Sequence, residues 1–324
     1  MQAVRTRSMV EGGILAAMSI VFALMSVYVP VLGMFVNLVW PVPIVLLGVR
    51  HGFRWSFLCL AVSGVVMAIL ISPLQALSVV LGFGLIALTL GHCFHKRYSP
   101  FQVMLWGSVA SVVSKALVLG ASFVLMGVNP LALQAEGMTK GVAAVMDIYR
   151  GLGLKEEDLA MLEQTMHTTL DLMKLILPAG FAVASVIDTY INYWIARAVL
   201  RKLNFLTPSF PPLRQWSIPY YFIWLYGASL LVVALYHADQ SSWLYLVGVN
   251  LQVLANVALL VQGIALLAHL SYEKNWPKWI RPVLIFMMFT NGLFTQLVVL
   301  AGAFDLVMDY RKLRRAAGAE KESR

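Results

Sequence analysis

The stretch LPAGFAVASVIDTYINYWIARAVLRK, Leu177 to Lys202, decides the fold class because it is a long apolar run with an acid near its middle. A helix of this length, rising ~1.5 Å per residue, can cross the ~30 Å hydrocarbon core of a bilayer. Asp188 would then lie close to the membrane midplane, where a carboxylate is costly unless it is paired or hydrated. A partner for that carboxylate must come from elsewhere in the chain.

The composition of the whole chain is that of an integral membrane protein. Of 324 residues, 60% are hydrophobic and only 12% are charged, and the mean hydropathy is +0.80. Soluble domains carry about 25% charged residues, so a soluble fold is excluded. Apolar runs of about 18 or more residues recur along the chain. They predict an all-α, polytopic transmembrane helical bundle with about nine apolar segments and eight to ten crossings.

The net charge of +9 reflects membrane topology, since Lys and Arg cluster between the apolar runs. We therefore expect membrane lipid and no nucleic acid as a partner. Two cysteines give no disulfide framework, and the group His92, Cys93 and His95 lacks the further ligands that a metal site needs. No nucleophile–base pair or carboxylate dyad is recognisable, so we predict no catalytic residues, no cofactor, no metal site and no enzyme activity.

The order of the runs predicts a core and an added module. Residues 1–202 form a six-span core that includes a helical extracytoplasmic loop, 129–171. A proline-rich cytoplasmic connector follows at 203–217, then a C-terminal membrane module at 218–310 and a basic tail at 311–324. Apolar residues recur at three- and four-residue steps from Leu159, so this part of the loop packs onto the membrane domain as a lid or lies on the lipid surface.

The distribution of cations orients the chain in the cell membrane, which we expect to be a bacterial inner membrane. A cytoplasmic N-terminus leaves thirteen Lys and Arg residues in the inner loops and four in the long outer loop, which is acidic. The last run, Pro282 to Leu306, would leave the basic tail outside if it crossed once. A hairpin of short helices around Thr290-Asn291-Gly292 would keep that tail in the cytoplasm, and we favour this alternative.

Lys115 is the predicted partner of Asp188. It lies in the run Phe101 to Val128, too far from either end to reach the membrane surface easily. With opposite helix directions, both charges fall near mid-depth, and Asn192 lies one helical turn from Asp188. The pair is either a structural ion pair or the floor of a ligand cavity, and the sequence leaves both open.

Three more residues are candidates for contact with a ligand, and two for contact with a partner. Asn37 and Trp40 precede Pro41 and Pro43, which interrupt a helix, so they line a cavity or belong to an interfacial loop with a Trp belt residue. Gln75 is near the outer end of the run Leu74 to Leu90. Gly13 and Ala17 have a small-xxx-small spacing, which serves either another protein's helix or packing within this chain. The ligand-contact set is therefore Asn37, Trp40, Gln75, Lys115, Asp188 and Asn192.

Five segments carry a family resemblance: PVPIVLLGVRHGFRWSF, ILPAGF, NYWIARAVLRKLNF, PPLRQWSIP and DLVMDYRKLRR. Together they resemble the YybS-like family of predicted bacterial membrane proteins, which is not functionally characterised. The first six spans are similar to the S components of energy-coupling factor transporters. That second resemblance implies a ligand entering from outside beneath the loops joining spans one to two and five to six. It also implies that Gly13 and Ala17 contact a transmembrane coupling subunit.

We therefore expect a substrate-binding, transport-related membrane component that takes a small solute or amphiphile from the outer face. The alternative is a non-transporting membrane scaffold that binds other membrane proteins through the same core. No Walker motif is present, so ATP-driven transport would need a partner chain. The added module and the long loop both depart from the S-component pattern.

Overall fold

The computed structural model describes residues 2–127, 130–240 and 242–312, and their regular elements are α-helices with one 3-10 turn, Leu213–Gln215. The prediction of an all-α chain is confirmed. The helices are α1 Gln2–Tyr28, α2 Pro30–Val39, α3 Val42–His51, α4 Phe53–Leu70, α5 Pro73–His95, α6 Pro100–Met126, α7 Pro130–Gly151, α8 Glu156–Leu175, α9 Leu177–Lys202, α10 Tyr221–Leu235, α11 Trp243–Glu273, α12 Ile280–Thr290 and α13 Gly292–Met308.

Short polar residues begin several of the membrane helices. The Ser72 hydroxyl accepts from the backbone of Gln75 at the start of α5, and Asn291 accepts from Phe294 at the start of α13. At α6, Ser99 and Gln102 form a reciprocal capping box. These caps satisfy helix N–H groups that have no partner within the helix, which matters most where water is scarce.

Proline separates α2 from α3, as the sequence predicts. Pro41 has no N–H to donate, and the chain turns at Trp40 and Pro41 before α3 begins at Val42. A second break follows α3, where Gly52 adopts φ 84° between α3 and α4, a conformation that favours glycine. The run from Pro30 to Leu70 is therefore three helices rather than one.

Among the described residues, five helices can each cross a membrane alone by length and composition: α1, α4, α5, α6 and α11. Seven spans result if each of the bent pairs α8–α9 and α12–α13 counts as one. Two more apolar stretches are shorter: α10, and residues 35–51, which cover the end of α2 and all of α3. The polytopic helical bundle is confirmed, and the predicted eight to ten crossings are reached only if the shorter helices also cross.

The last apolar run is broken into two helices rather than forming one straight helix. Helices α12 and α13 meet at Asn291 with a bend of 111°. Thr295 Oγ1 closes the corner by donating to the Met288 carbonyl at 2.5 Å. The break falls at the expected Thr290-Asn291-Gly292, and the return of the tail to the cytoplasm stays a prediction.

The chain forms two compact units. The first contains residues 1–170 and 184–209, and the second contains residues 171–183 and 210–324. Helix α9 begins in the second unit and continues in the first. The boundary at residues 209 and 210 falls inside the predicted connector, while the placement of that connector in the cytoplasm stays a prediction.

The first unit is held together by small residues that allow close helix approach. On α1, Ala16, Ser19 and Ala23 are buried, and Ser63 of α4 donates to the Ala16 carbonyl. Helices α3 and α5 meet at two glycines: a methyl group added to Gly48 would lie 3.1 Å from Gly91 Cα. Such contacts between small residues are typical of membrane helix packing.

The second unit packs α10, α11 and α13 around Leu259, Val299 and Leu306. Helices α11 and α13 cross at Gly263 and Gly302, where a side chain on either glycine would overlap the backbone of the other helix. This crossing brings polar side chains of both helices within hydrogen-bond distance.

Candidate functional site: an ion pair inside the membrane helices

Lys115 of α6 and Asp188 of α9 form an ion pair within the first unit, as the sequence predicts. Lys115 Nζ also donates to Ser111 Oγ, one turn earlier on α6, at 2.8 Å. The Lys115 side chain is 25% exposed and the Asp188 side chain 42%. The pair is therefore partly exposed rather than sealed in the core.

Glycine and a short side chain bring α6 and α9 together. A methyl group added to Gly107 of α6 would overlap Thr189 Cγ2, so no larger residue is accommodated there. Thr189 is fully buried, and its hydroxyl donates to the Ser185 carbonyl on its own helix. This contact fixes α9 against α6 one residue after Asp188, which sets the position of the carboxylate.

Asn192 lies one turn after Asp188, as expected, but it bonds the backbone rather than the carboxylate. Its Nδ2 donates to the Asp188 carbonyl oxygen at 2.8 Å, and the residue is 4% exposed. Its Oδ1 is buried and has no protein partner among the described residues.

One turn of α5 connects the ion pair to the second group of candidates. Ser114 Oγ, next to Lys115, donates to the Leu81 and Gly82 carbonyls of α5. The Phe83 ring of the same turn contacts Trp40, with ring centroids 6.4 Å apart. Trp40 and the ion pair therefore flank one turn of α5.

Trp40 is fully buried, so the alternative of an exposed belt residue does not describe it. Its indole Nε1 has no acceptor among the residues that the structure describes. Asn37 is half-buried, and its Oδ1 accepts from Ser26 Oγ of α1 at 2.6 Å. Asn37 is thus tied to α1 and Trp40 packs on α5, and neither residue contacts the ion pair directly in any bond of the described residues.

Gln75 is exposed near the start of α5, and no bond within the described ranges joins it to Lys115 or Asp188. Helix α8 begins at the predicted acidic turn, Glu156-Glu157-Asp158. Of its apolar stripe, Leu159 is buried and Met173 is exposed. The role of this helix as a lid stays a prediction.

Gly13 and Ala17 lie on the outward face of α1. Both are exposed, and a methyl group added to Gly13 would meet no atom within 4 Å. Packing inside this chain is made instead by the neighbouring positions, with Gly12 facing Leu47. The structure therefore leaves the small-xxx-small pair available to lipid or to another protein.

Sequence reasoning missed a buried charge cluster in the second unit. Asp305 Oδ2 of α13 accepts from Arg311 Nε at 3.0 Å and from Gln262 Nε2 at 2.7 Å. The Asp305 side chain is 3% exposed and the Arg311 side chain 1%. Arg311 Nη1 donates to the Arg214 carbonyl, and Gln262 Oε1 accepts from the Ile218 backbone. The feature of the sequence that could have indicated this cluster is the acid Asp305, six residues before Arg311 at the end of an apolar run.

A second cluster was also missed, at the start of α1. Glu11 Oε2 accepts from His51 Nε2 at 2.8 Å and from Arg50 Nη1 at 3.2 Å, while Ser8 Oγ contacts His51 Nδ1 at 2.8 Å. Ser8 is only 2% exposed, so the hydroxyl is not presented to a substrate. The cluster joins α1 to the end of α3, and its signal was an acid within the first apolar run.

Comparison with known proteins places the chain among membrane proteins of similar length. The family model described as "Predicted membrane protein (DUF2232)" matches residues 17–306. The "Uncharacterized protein YybS" of Bacillus subtilis (strain 168) is 23% identical over 305 residues, which cover 93% of this chain and 96% of the relative. No solved structure matches this chain.

Proposed function

The chain belongs to the DUF2232 family of predicted membrane proteins, and we propose that it is a substrate-binding, transport-related component with its ligand site at Lys115 and Asp188. The observation that carries this proposal is the partly exposed ion pair at the middle of two membrane helices. A charge pair kept there solely for stability gains little over apolar side chains of similar size. Ionisable residues at this depth commonly mark ligand or ion pathways.

The surroundings of the pair support a polar ligand. Asn192 Oδ1, one turn from Asp188, is a buried acceptor without a partner among the described residues, and Trp40 Nε1 is a buried donor that likewise has no partner among them. A small solute or amphiphile with a polar group would exchange bonds with Lys115 and Asp188 and leave its apolar part among the helices. We place its entry at the outer face, as the S-component resemblance implies.

The proposed orientation has the N-terminus in the cytoplasm. The inner ends of the first unit then carry the basic turn Arg50 to Arg54 and the pair Lys96 and Arg97, whereas the acidic helix α8 lies outside. Lys115 is 15 residues, ~22 Å, into α6. In this orientation α6 runs outward, so Lys115 is also 11 residues, ~17 Å, from the outer end of the helix, and a ligand from the outer face must cover that distance.

The test compares single replacements with a charge exchange. Lys115→Met and Asp188→Asn should abolish retention of the small molecules that mass spectrometry finds on the purified wild-type protein, while the protein still accumulates in the membrane. The exchange K115D/D188K keeps an ion pair, so it should remain assembled as well and still not restore the ligand. As a matched control, Glu136→Gln removes an acid from an exposed ion pair with Lys140 and should change neither property.

The opposite pattern would indicate a structural pair. If both single variants fail to accumulate and the exchange recovers accumulation and ligand together, the pair only holds α6 against α9. Accumulation is measured by membrane fractionation, and assembly by the elution profile in detergent. These measurements separate loss of the fold from loss of the site.

A membrane scaffold is the second candidate, and the outward position of Gly13 and Ala17 favours it. Leucine at both positions should reduce co-purification of a membrane partner, because close approach of a second helix needs small side chains. Met18→Leu, on the same exposed face, is the matched control. Unchanged partner recovery in the double variant would count against a scaffold role for this face.

A further inference from the structure

The second unit contains a cavity that the ion pair of the first unit does not explain. It has a volume of about 360 Å³ and lies between α11, α12 and residues 212–214. Its deeper walls are apolar. They are formed by Ile264, Leu267 and Ala268 of α11 and by Leu284, Ile285 and Met288 of α12.

Two arginines line the polar end of this cavity. Arg281 Nε donates to Ser271 Oγ at 3.1 Å, and the Arg214 guanidinium carbon lies 3.5 Å from the centre of the Tyr272 ring. These contacts hold both side chains at the mouth of the cleft. Within the described part of the chain, neither guanidinium has a carboxylate within 4.0 Å. Among the described residues, the cleft therefore presents two cations without a matching anion.

Aromatic residues place this mouth at the membrane surface. Trp279 and Tyr272 are 65% and 58% exposed, and both lie beside the turn that joins α11 to α12. Exposed Trp and Tyr at helix ends are typical of the headgroup level. Ile264 lies seven residues, ~10 Å, before Ser271 on α11, so the apolar walls extend from the headgroup level into the hydrocarbon.

We propose that this cleft binds an anionic phospholipid, with its phosphate between Arg214 and Arg281 and an acyl chain along α11 and α12. Apolar walls of this length have no role in binding a free anion, and two uncompensated cations favour an anionic headgroup over a zwitterionic one. The positive-inside pattern assigns the site to the cytoplasmic leaflet. The site lies wholly in the second unit and is independent of the ligand proposed for Lys115 and Asp188.

The test measures lipid binding to the full-length protein by native mass spectrometry, with phosphatidylglycerol and phosphatidylcholine as probes. The variant R214Q/R281Q should bind phosphatidylglycerol roughly 30-fold more weakly, from the usual contribution of two cations near an anionic surface. Its binding of phosphatidylcholine should change little. The matched control is K274Q/K278Q, which removes two cations from the same turn without touching the cavity lining.

A second variant tests the acyl-chain position. Ala268→Phe fills the apolar end and leaves both arginines in place, so it should also weaken phosphatidylglycerol binding. Equal losses in R214Q/R281Q and K274Q/K278Q would show general charge attraction and overturn the site. Wild-type affinity in R214Q/R281Q or in Ala268→Phe would overturn it as well. So would inorganic phosphate that competes as strongly as the lipid, since it would show that no acyl chain is bound.

Discussion

Replacing Asp305 with asparagine tests whether the buried charge cluster holds the second unit together. Asp305 and Arg311 are almost fully buried, with side-chain exposures of 3% and 1%. Asparagine has nearly the same shape, and its oxygen can still accept from Gln262. The change therefore removes the negative charge and leaves the Arg311 guanidinium buried without its counter-charge.

The expected cost is about 3–5 kcal/mol, which is typical when one partner of a buried ion pair is removed. The exposed pair of Glu136 and Lys140 gives the comparison. There the side chains are 59% and 76% exposed, and an i,i+4 pair of this kind contributes about 0.3–0.5 kcal/mol. The double variant D305N/R311Q removes both charges and keeps hydrogen-bonding amides, so it should lie within about 1–2 kcal/mol of the wild type.

The assay is unfolding of the purified protein by SDS in mixed micelles, followed by tryptophan fluorescence. Asp305→Asn should lower the free energy of unfolding by the amount given above, and Glu136→Gln should lower it by less than about 0.5 kcal/mol. D305N/R311Q should recover most of the loss. The reasoning is refuted if Asp305→Asn stays within about 1 kcal/mol of the wild type or if the double variant is no more stable than the single one.

Two further predictions concern helix packing and topology. Leucine at Gly107 should destabilise the protein by about 1–3 kcal/mol because it would overlap Thr189. Leucine at Gly120 of the same helix has open space around it, so it should leave the stability unchanged. Fluorescence-detected size exclusion of the two variants measures this difference. Arg311 donates to the Arg214 carbonyl of the connector, which we predict to be cytoplasmic, so a C-terminal green fluorescent protein should fluoresce in the cytoplasm. An active alkaline phosphatase at the same position would contradict this.

The pairing of Lys115 with Asp188 could be predicted because each charge is isolated in an apolar run. A span has a fixed rise per residue, so the depth of each charge follows from its position in the sequence. Two opposite charges at the same depth in the membrane have few other partners, so they are expected to pair with each other. The same reasoning predicted the hairpin after Pro282, since the basic tail had to be accommodated.

The clusters at Asp305 and Glu11 could not be predicted in the same way. Both acids lie near the ends of apolar runs, where contact with water is a sufficient explanation. Only the crossing of α11 and α13 at Gly263 and Gly302 brings Gln262 to Asp305. Similarly, the face of α1 that carries Gly13 is outward because Ala16 and Ser19 take the inward positions.

The sequence by itself determined that the chain is a membrane protein, that it is helical, that proline breaks its helices, and how far along their helices Lys115 and Asp188 lie. These follow from local rules, because in lipid each backbone group must be satisfied within its own helix. The tertiary structure alone decided which residues meet: Trp40 with Phe83, Arg311 with Asp305, and two arginines at one apolar cleft. Such contacts depend on how helices rotate and cross, which is set by close packing between residues far apart in the chain.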